Sequence, residues 1–338
     1  MLSAGKRLAW PLLRSVVGIL LLLSAAATAQ PAPPIPGGLG LDTWTRGLGI
    51  DAGSQGPPGL FLIYRLIDFS ANKVRDQNGD VLPIPGLKVG AVANAFAVAF
   101  TVKTHAAPFL TAAASIPVAV VSLDVSEPPV ALDNLGLADM FVAPLRVGWR
   151  HPHYDVVSSY GFYAPTGRFD PQDPSSVGRG YWINQLSLGG AGYLDTARNQ
   201  RASVLVSYER NQPRRGIESR RGNLLNVQGG AGTTVYRNVL AGLAWYAFWQ
   251  VSDDKGADLP SDLVGGHSRA FGLGPEIDVT IPRFRTRVDV RAEWDFGVIA
   301  HPQGLLFVVG AGYLAWMPPF KTGASPRPRP SGKPDSPP

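Results

Sequence analysis

Cysteine is absent from all 338 residues, so neither a disulfide framework nor a thiolate metal site is available. Long apolar runs are missing too. The run Val16–Leu23 falls far short of the ~20 residues a membrane-spanning helix needs, and every later hydrophobic stretch is broken by Gly, Pro or a charge within a few residues. A helical membrane protein is thereby excluded. A clustered basic face is also lacking. The formal charge is +6, yet Lys6, Arg7 and Arg14 sit near the start, and Lys321, Arg327, Arg329 and Lys333 sit near the end against Asp335. The body between them is close to neutral and offers no footing for nucleic acid.

What is present at the N-terminus is a positive segment, the short apolar run and the small residues Ala27-Thr28-Ala29 before Gln30. That is the layout of a cleaved secretory signal over residues 1–29. An exported chain without spanning helices is either soluble or a closed β-barrel, because only a barrel lets strands cross lipid with every backbone group paired. With 39 Gly and 31 Pro, the composition favours turns and strands over helices.

From Arg287 onward, Arg287, Asp289, Arg291, Glu293 and Asp295 fall on one parity, while Val288, Val290, Ala292, Trp294 and Phe296 fall on the other. A period of two is a β-strand with one polar and one apolar face. Similar segments recur. The strand candidates are Leu60–Ser70, Val89–Thr104, Thr111–Val125, Asp139–Arg150, Tyr154–Pro165, Tyr181–Asp195, Ala202–Arg210, Leu224–Val235, Val239–Ser252, Arg269–Ile281, Arg285–Ile299 and Leu305–Trp316. Twelve is an even number and returns both ends to one side of a membrane.

The connections sort by length. Short ones surround Ala107-Pro108, His151–His153, Tyr236–Asn238 and Pro282–Phe284; long polar ones are Ala71–Leu87, Ser126–Ala138, Thr166–Gly180, Asn211–Asn223 and Asp253–His267. His301–Gly304 is a short exception at the long end. Short periplasmic turns opposite long external loops predict an all-β fold, a transmembrane antiparallel barrel of about 12 strands spanning residues 60–316. Gln30–Gly59 reads as an N-terminal arm with little regular structure, and residues 317–338 as a Pro-rich, unfolded tail. Trp149, Tyr154, Tyr193, Tyr236 and Trp316 near one rim, and Tyr181, Trp182, Trp249 and Phe296 near the other, fit interfacial girdles.

Inward charges are expected at Arg146, Arg150, Glu209, Glu276, Asp278, Arg287, Asp289, Arg291, Glu293 and Asp295. They form either a polar constriction that selects solutes or a paired network that holds the barrel rigid. No catalytic, cofactor or metal site is expected. The five histidines supply no nucleophile–base pair, no His-x-Ser occurs on any strand, and His151-x-His153 flanks Pro152 in a rim turn. The GGAG pieces at Gly189–Gly192 and Gly229–Gly232 lie inside strand patterns without a following helix, which marks them as places of close packing or bending, not phosphate loops.

Several ordered motifs make the chain resemble the exported proteins named for the meta-cleavage pathway of phenol degradation. They are PPGLFLIYRLIDFSA at Pro57–Ala71, GLADMFVAPLRVGW at Gly136–Trp149, GFYAPTGRFDP at Gly161–Pro171, VGRGYWINQLSLGGAGYLD at Val177–Asp195 and FGLGPEIDVTI at Phe271–Ile281. The resemblance implies an outer-membrane barrel with a part in uptake of hydrophobic or aromatic compounds, and it supplies no catalytic residue. The expected partners are outer-membrane lipid, the barrel-assembly machinery and a small hydrophobic solute. The residues alone also fit a closed structural or surface-interaction barrel.

Overall fold

The computed structural model describes residues 48–105, 108–171, 173, 175–258 and 267–319. The expected signal, the first part of the arm and most of the tail lie outside them. The strands are β1 (Gly59–Arg75), β2 (Lys88–Lys103), β3 (Phe109–Val125), β4 (Val130–Leu137), β5 (Met140–His151), β6 (Tyr154–Ala164), β7 (Ile183–Tyr193), β8 (Gln200–Asn211), β9 (Leu224–Tyr236), β10 (Val239–Gln250), β11 (Arg269–Ile281), β12 (Thr286–Ile299) and β13 (His301–Trp316). Sequence neighbours pair antiparallel except β4 and β5, which both pair with β3, and β13 returns to β1 in a register running from Leu60↔Trp316 to Arg75↔His301. The sheet is therefore closed.

Thirteen segments make twelve staves, because β4 and β5 share one. β4 pairs with the upper half of β3 (Val118↔Leu137) and β5 with its lower half (Ser115↔Phe141). The break falls at Ala138-Asp139, both buried. This corrects the expectation that Ser126–Ala138 is an external loop. Those residues alternate and pair, and only 126–129 turn. Past the break, β4 presents its second edge to the segment 165–182, where Arg168 N donates to the Leu137 carbonyl at 3.3 Å. The bare edge is thus covered. His301–Gly304 is likewise strand, and the β12–β13 connection is Ala300 alone, at φ 48°.

Alternation decides which side chains meet lipid. Phe96, Val98 and Phe100 on β2, Leu186 and Leu188 on β7, and Val290, Trp294 and Phe296 on β12 all point outward, Trp294 remaining 54% exposed. In water a continuous apolar belt of this kind drives aggregation, whereas in lipid it is the solvated face. Trp149, Tyr154, Tyr236 and Trp316 are exposed near the short-turn rim. Tyr193 and Tyr181, expected in the girdles, are instead buried: Tyr193 hydroxyl donates to Asp155 at 2.8 Å, and Tyr181 lies before β7 under the external loops.

The protein should require detergent and should migrate differently on a denaturing gel before and after heating. Val290→Arg places a cation on the lipid face at a cost of roughly 2–4 kcal/mol, so it should impair refolding into bilayers more than the isosteric Asp289→Asn. A refolding titration that ranked the two the other way would put β12 in the opposite register.

Candidate functional site

The lumen is occupied by the chain's own arm. Residues 48–56 enter the barrel, and Gly49–Asp51 make one 3-10 turn against β8, β9 and β10. Ile50 is wholly buried there. Polar contacts follow along the arm. Leu48 N donates to Gln228 Oε1 (3.2 Å), Ile50 N to Glu276 Oε2 (2.9 Å) and Gln55 N to Asp155 Oδ2 (3.0 Å). In return Ser203 Oγ donates to the Ile50 carbonyl (2.5 Å) and Arg146 Nη2 to the Ser54 carbonyl (2.7 Å). The Asp51 carboxylate sits between Arg201, at 3.2 Å, and Arg287. A buried segment without regular structure must satisfy its backbone groups through side chains, and these contacts do so.

Glycine makes the approach possible. Gly49 has φ 55°, and a Cβ there would fall 2.1 Å from Glu276 Oε2; a Cβ on Gly53 would fall 2.1 Å from the Gly190 carbonyl oxygen. On the wall, a Cβ on Gly230 would stand 2.8 Å from Ile50 Cγ1. The two GGAG pieces therefore lie where the arm rests, and close packing accounts for them.

Most of the expected inward charges surround this arm. On β12, Arg291 is buried among Glu293 (3.1 Å), Glu276 of β11 (3.9 Å) and Asp289 (4.0 Å). Arg287 joins Asp278 (2.8 Å) to Asp51. Asp295 accepts from the Tyr246 hydroxyl and from Gly304 N at 3.1 Å. Glu209 is buried on β8 and accepts from Gln185 Nε2 at 2.9 Å. Arg146 reaches the arm from β5, and Arg150, on the same face, is exposed at the short-turn rim. Charges on β11 and β12 thus meet in one region, while Glu209 on β8 and Arg146 and Arg150 on β5 stand apart from it.

Sequence reasoning missed three components. The first is the place of the arm inside the lumen, since no strand or helix pattern in residues 48–58 says where they lie. The second is Asp155, buried at the start of β6, whose carboxylate takes both Nη atoms of Arg198 (2.8 and 3.0 Å), Tyr193 and Gln55 N. The third is Asp139 at the β4–β5 break, which accepts from Gly167 N (3.0 Å) and Arg179 N (2.9 Å) and pins the segment that covers the β4 edge. A lone acid flanked by apolar residues was the available signal for both carboxylates.

The opposite wall is apolar. Between the arm and the barrel wall lies a cavity of about 450 Å³, faced on β1, β2, β3 and β5 by Ile63 and Ile67, by the ladder Ala95, Ala97 and Ala99, and by Ala113 and Phe141, and on β6 to β9 by polar residues such as Ser159, Gln185 and Gln228. Toward the long loops, Phe69, Val89, Val121 and Leu123 continue this face and pack with Leu87 and Val177 into a buried apolar cluster. The arrangement can hold a small apolar molecule beside a polar, peptide-filled half. Among the described residues no group of three or more His, Cys, Asp or Glu could hold a metal ion.

Burial alone would raise the Asp51 carboxyl, and the Arg287 and Arg201 guanidiniums outweigh it, so the group is held below its ordinary value of 3.8. A depressed acid contributes stability above its free value and loses it as pH falls through the lowered one. The Asp51 contribution to arm attachment should therefore be constant from neutrality down to about pH 4 and weaken below that. Asp51→Asn should reproduce the weakened state at neutral pH, costing about 1–3 kcal/mol. Both show as larger, noisier single-channel currents and faster amide exchange at residues 48–56. Currents identical to wild type in Asp51→Asn would mean that the carboxylate does not hold the arm.

A comparison with curated proteins gave no match. Among solved structures the chain is similar to an outer membrane channel from Pseudomonas putida F1, with TM-score 0.68 at 10% identity over 78% of this chain and 97% of that one. The translocator domain of the autotransporter NalP from Neisseria meningitidis matches with TM-score 0.44 at 12% identity over 78% of this chain and 91% of that one. At such identity the first likeness bears on the fold, an outer-membrane β-barrel. The family described as "Putative MetA-pathway of phenol degradation" matches residues 71–309, and with that span covering most of a closed twelve-stave barrel, the chain belongs to this family.

Proposed function

We propose that this protein is an outer-membrane channel, exported by its N-terminal signal, for passive entry of small hydrophobic or aromatic compounds. The observation that carries the reading is the 450 Å³ cavity with its alanine ladder on β2. Alanine leaves room for a ring, removes little conformational freedom when it is covered, and presents no polar group to be stripped of water. A sugar lying on the ladder would lose hydrogen bonds to water there, and could recover them only from polar residues elsewhere on the lining, such as Arg65, Arg146 and Gln185. Ions meet the charged, arm-filled half.

The arm favours a second reading, a closed structural barrel in which β8 to β12 and residues 48–56 form a permanent plug. One experiment separates the two. Cells with an intact lipopolysaccharide leaflet should take up a radiolabelled phenol, at limiting concentration, several-fold faster when they express the protein. Xylose uptake should not change. Ala97→Trp fills the cavity and should abolish the gain while leaving heat-modifiable gel mobility intact. Equal phenol uptake with and without the protein removes the channel reading and leaves the closed barrel.

A further inference from the structure

Two guanidiniums open onto this cavity without an acid at ion-pair distance among the described residues. Arg65 projects inward from β1 and Arg146 from β5, and both line the same space as the alanine ladder. Arg146 makes one hydrogen bond, to the Ser54 carbonyl. Arg65 makes none to any described residue, and its Nη1 is buried without an acceptor. Neither forms an ion pair among the described residues. The acids that act on these guanidiniums lie beyond ion-pair distance: Asp289, level with Arg65 across Gly310, keeps one carboxylate oxygen buried without a hydrogen bond and stands 4.0 Å from Arg291, and Asp155 holds Arg198 by both oxygens. A guanidinium carries five donors in a planar fork matched to a carboxylate, and a buried fork left unfilled is costly.

The two forks stand at different levels. Arg65 lies opposite Ala95, and Ala95 opposite Pro117; Arg146 lies opposite Thr111, and Thr111 opposite Thr101. The span from Ala95 to Thr101 on β2 therefore separates them, with Ala97 and Ala99 between. A cation at each level with a smooth apolar strip between them suits a molecule with an anionic head and a compact apolar body.

Resting on the reading of this cavity as the solute site, we infer that it binds small amphipathic monocarboxylates, aromatic acids in particular, with the carboxylate on the Arg65 fork and the ring on Ala95–Ala99. Arg146, nearer the short-turn rim, offers the second position for the head.

The test uses the full chain in detergent, titrated calorimetrically at neutral pH with benzoate and with its neutral isostere benzamide. Benzoate should bind at least tenfold more tightly, the difference expected of charge-assisted hydrogen bonds. Arg65→Gln should bring benzoate down to the affinity of benzamide, and Arg65→Lys, which keeps the charge without the fork, should restore part of the gap. Heat-modifiable mobility confirms that each variant is folded. Equal affinity for the two ligands, binding of neither, or benzoate affinity unchanged in both Arg65→Gln and Arg146→Gln would overturn the inference. The phenol uptake assay judges the channel independently. Phenol entry without benzoate preference leaves the channel and removes the acid site, whereas Arg65-dependent benzoate binding without phenol entry supports the acid site and removes the channel.

Discussion

A backbone amide has no water to bond in hydrocarbon, and leaving one unpaired costs several kcal/mol. The pairing of β1 with β13, from Leu60↔Trp316 to Arg75↔His301, meets that demand and leaves no strand edge open to lipid. Closure also creates an interior whose side chains are fixed by parity. Once β12 turns Val290 and Trp294 outward, Asp289, Arg291 and Glu293 have nowhere to go but in. The lumen's chemistry is thus a by-product of satisfying the wall.

That interior is divided. The charges of β11 and β12 face the arm and are matched by it, with Asp51 between two guanidiniums and the Ile50 amide on Glu276. The alanine ladder of β2 faces a void. A polar side filled by peptide and an apolar side left vacant is a different design from a uniformly polar pore, because the vacancy is offered only where entry by water gains least. The buried ions on the filled side are weak contributors to stability and strong ones to placement: they hold one backbone segment at one height.

The barrel was legible because its signals repeat. Alternation in segments such as 287–296 and the sorting of connection lengths both recur along the chain, so local errors cancel. Two loops were nevertheless misplaced for physical reasons. Ser126–Ala138 contains SEPP, which reads as a breaker, yet only its first residues turn and Val130–Leu137 pairs beyond them. His301–Gly304 carries Pro and Gly, yet pairs with the end of β1. Inward placement of the β8, β11 and β12 charges needed only parity. The arm could not be read this way, since its identity lies in what it touches: Gly53 against Gly190, and Ile50 against Gly230, are contacts between segments more than a hundred residues apart. Asp139 and Asp155 were hidden for the same cause, each being defined by long-range partners.

The arm runs straight into β1 at Gly59, with few residues between its last lumen contact and the barrel wall. A ligand so tethered never leaves the vicinity of its site. Its effective concentration there is on the order of millimolar or higher, set by the short linker and not by how much protein the cell makes. Anything that shares the lumen with residues 48–56 therefore competes against a local concentration that dilution cannot lower. A molecule that uses the alanine side avoids that competition, and one that needs the charged side must out-bind a segment that rebinds each time it lets go.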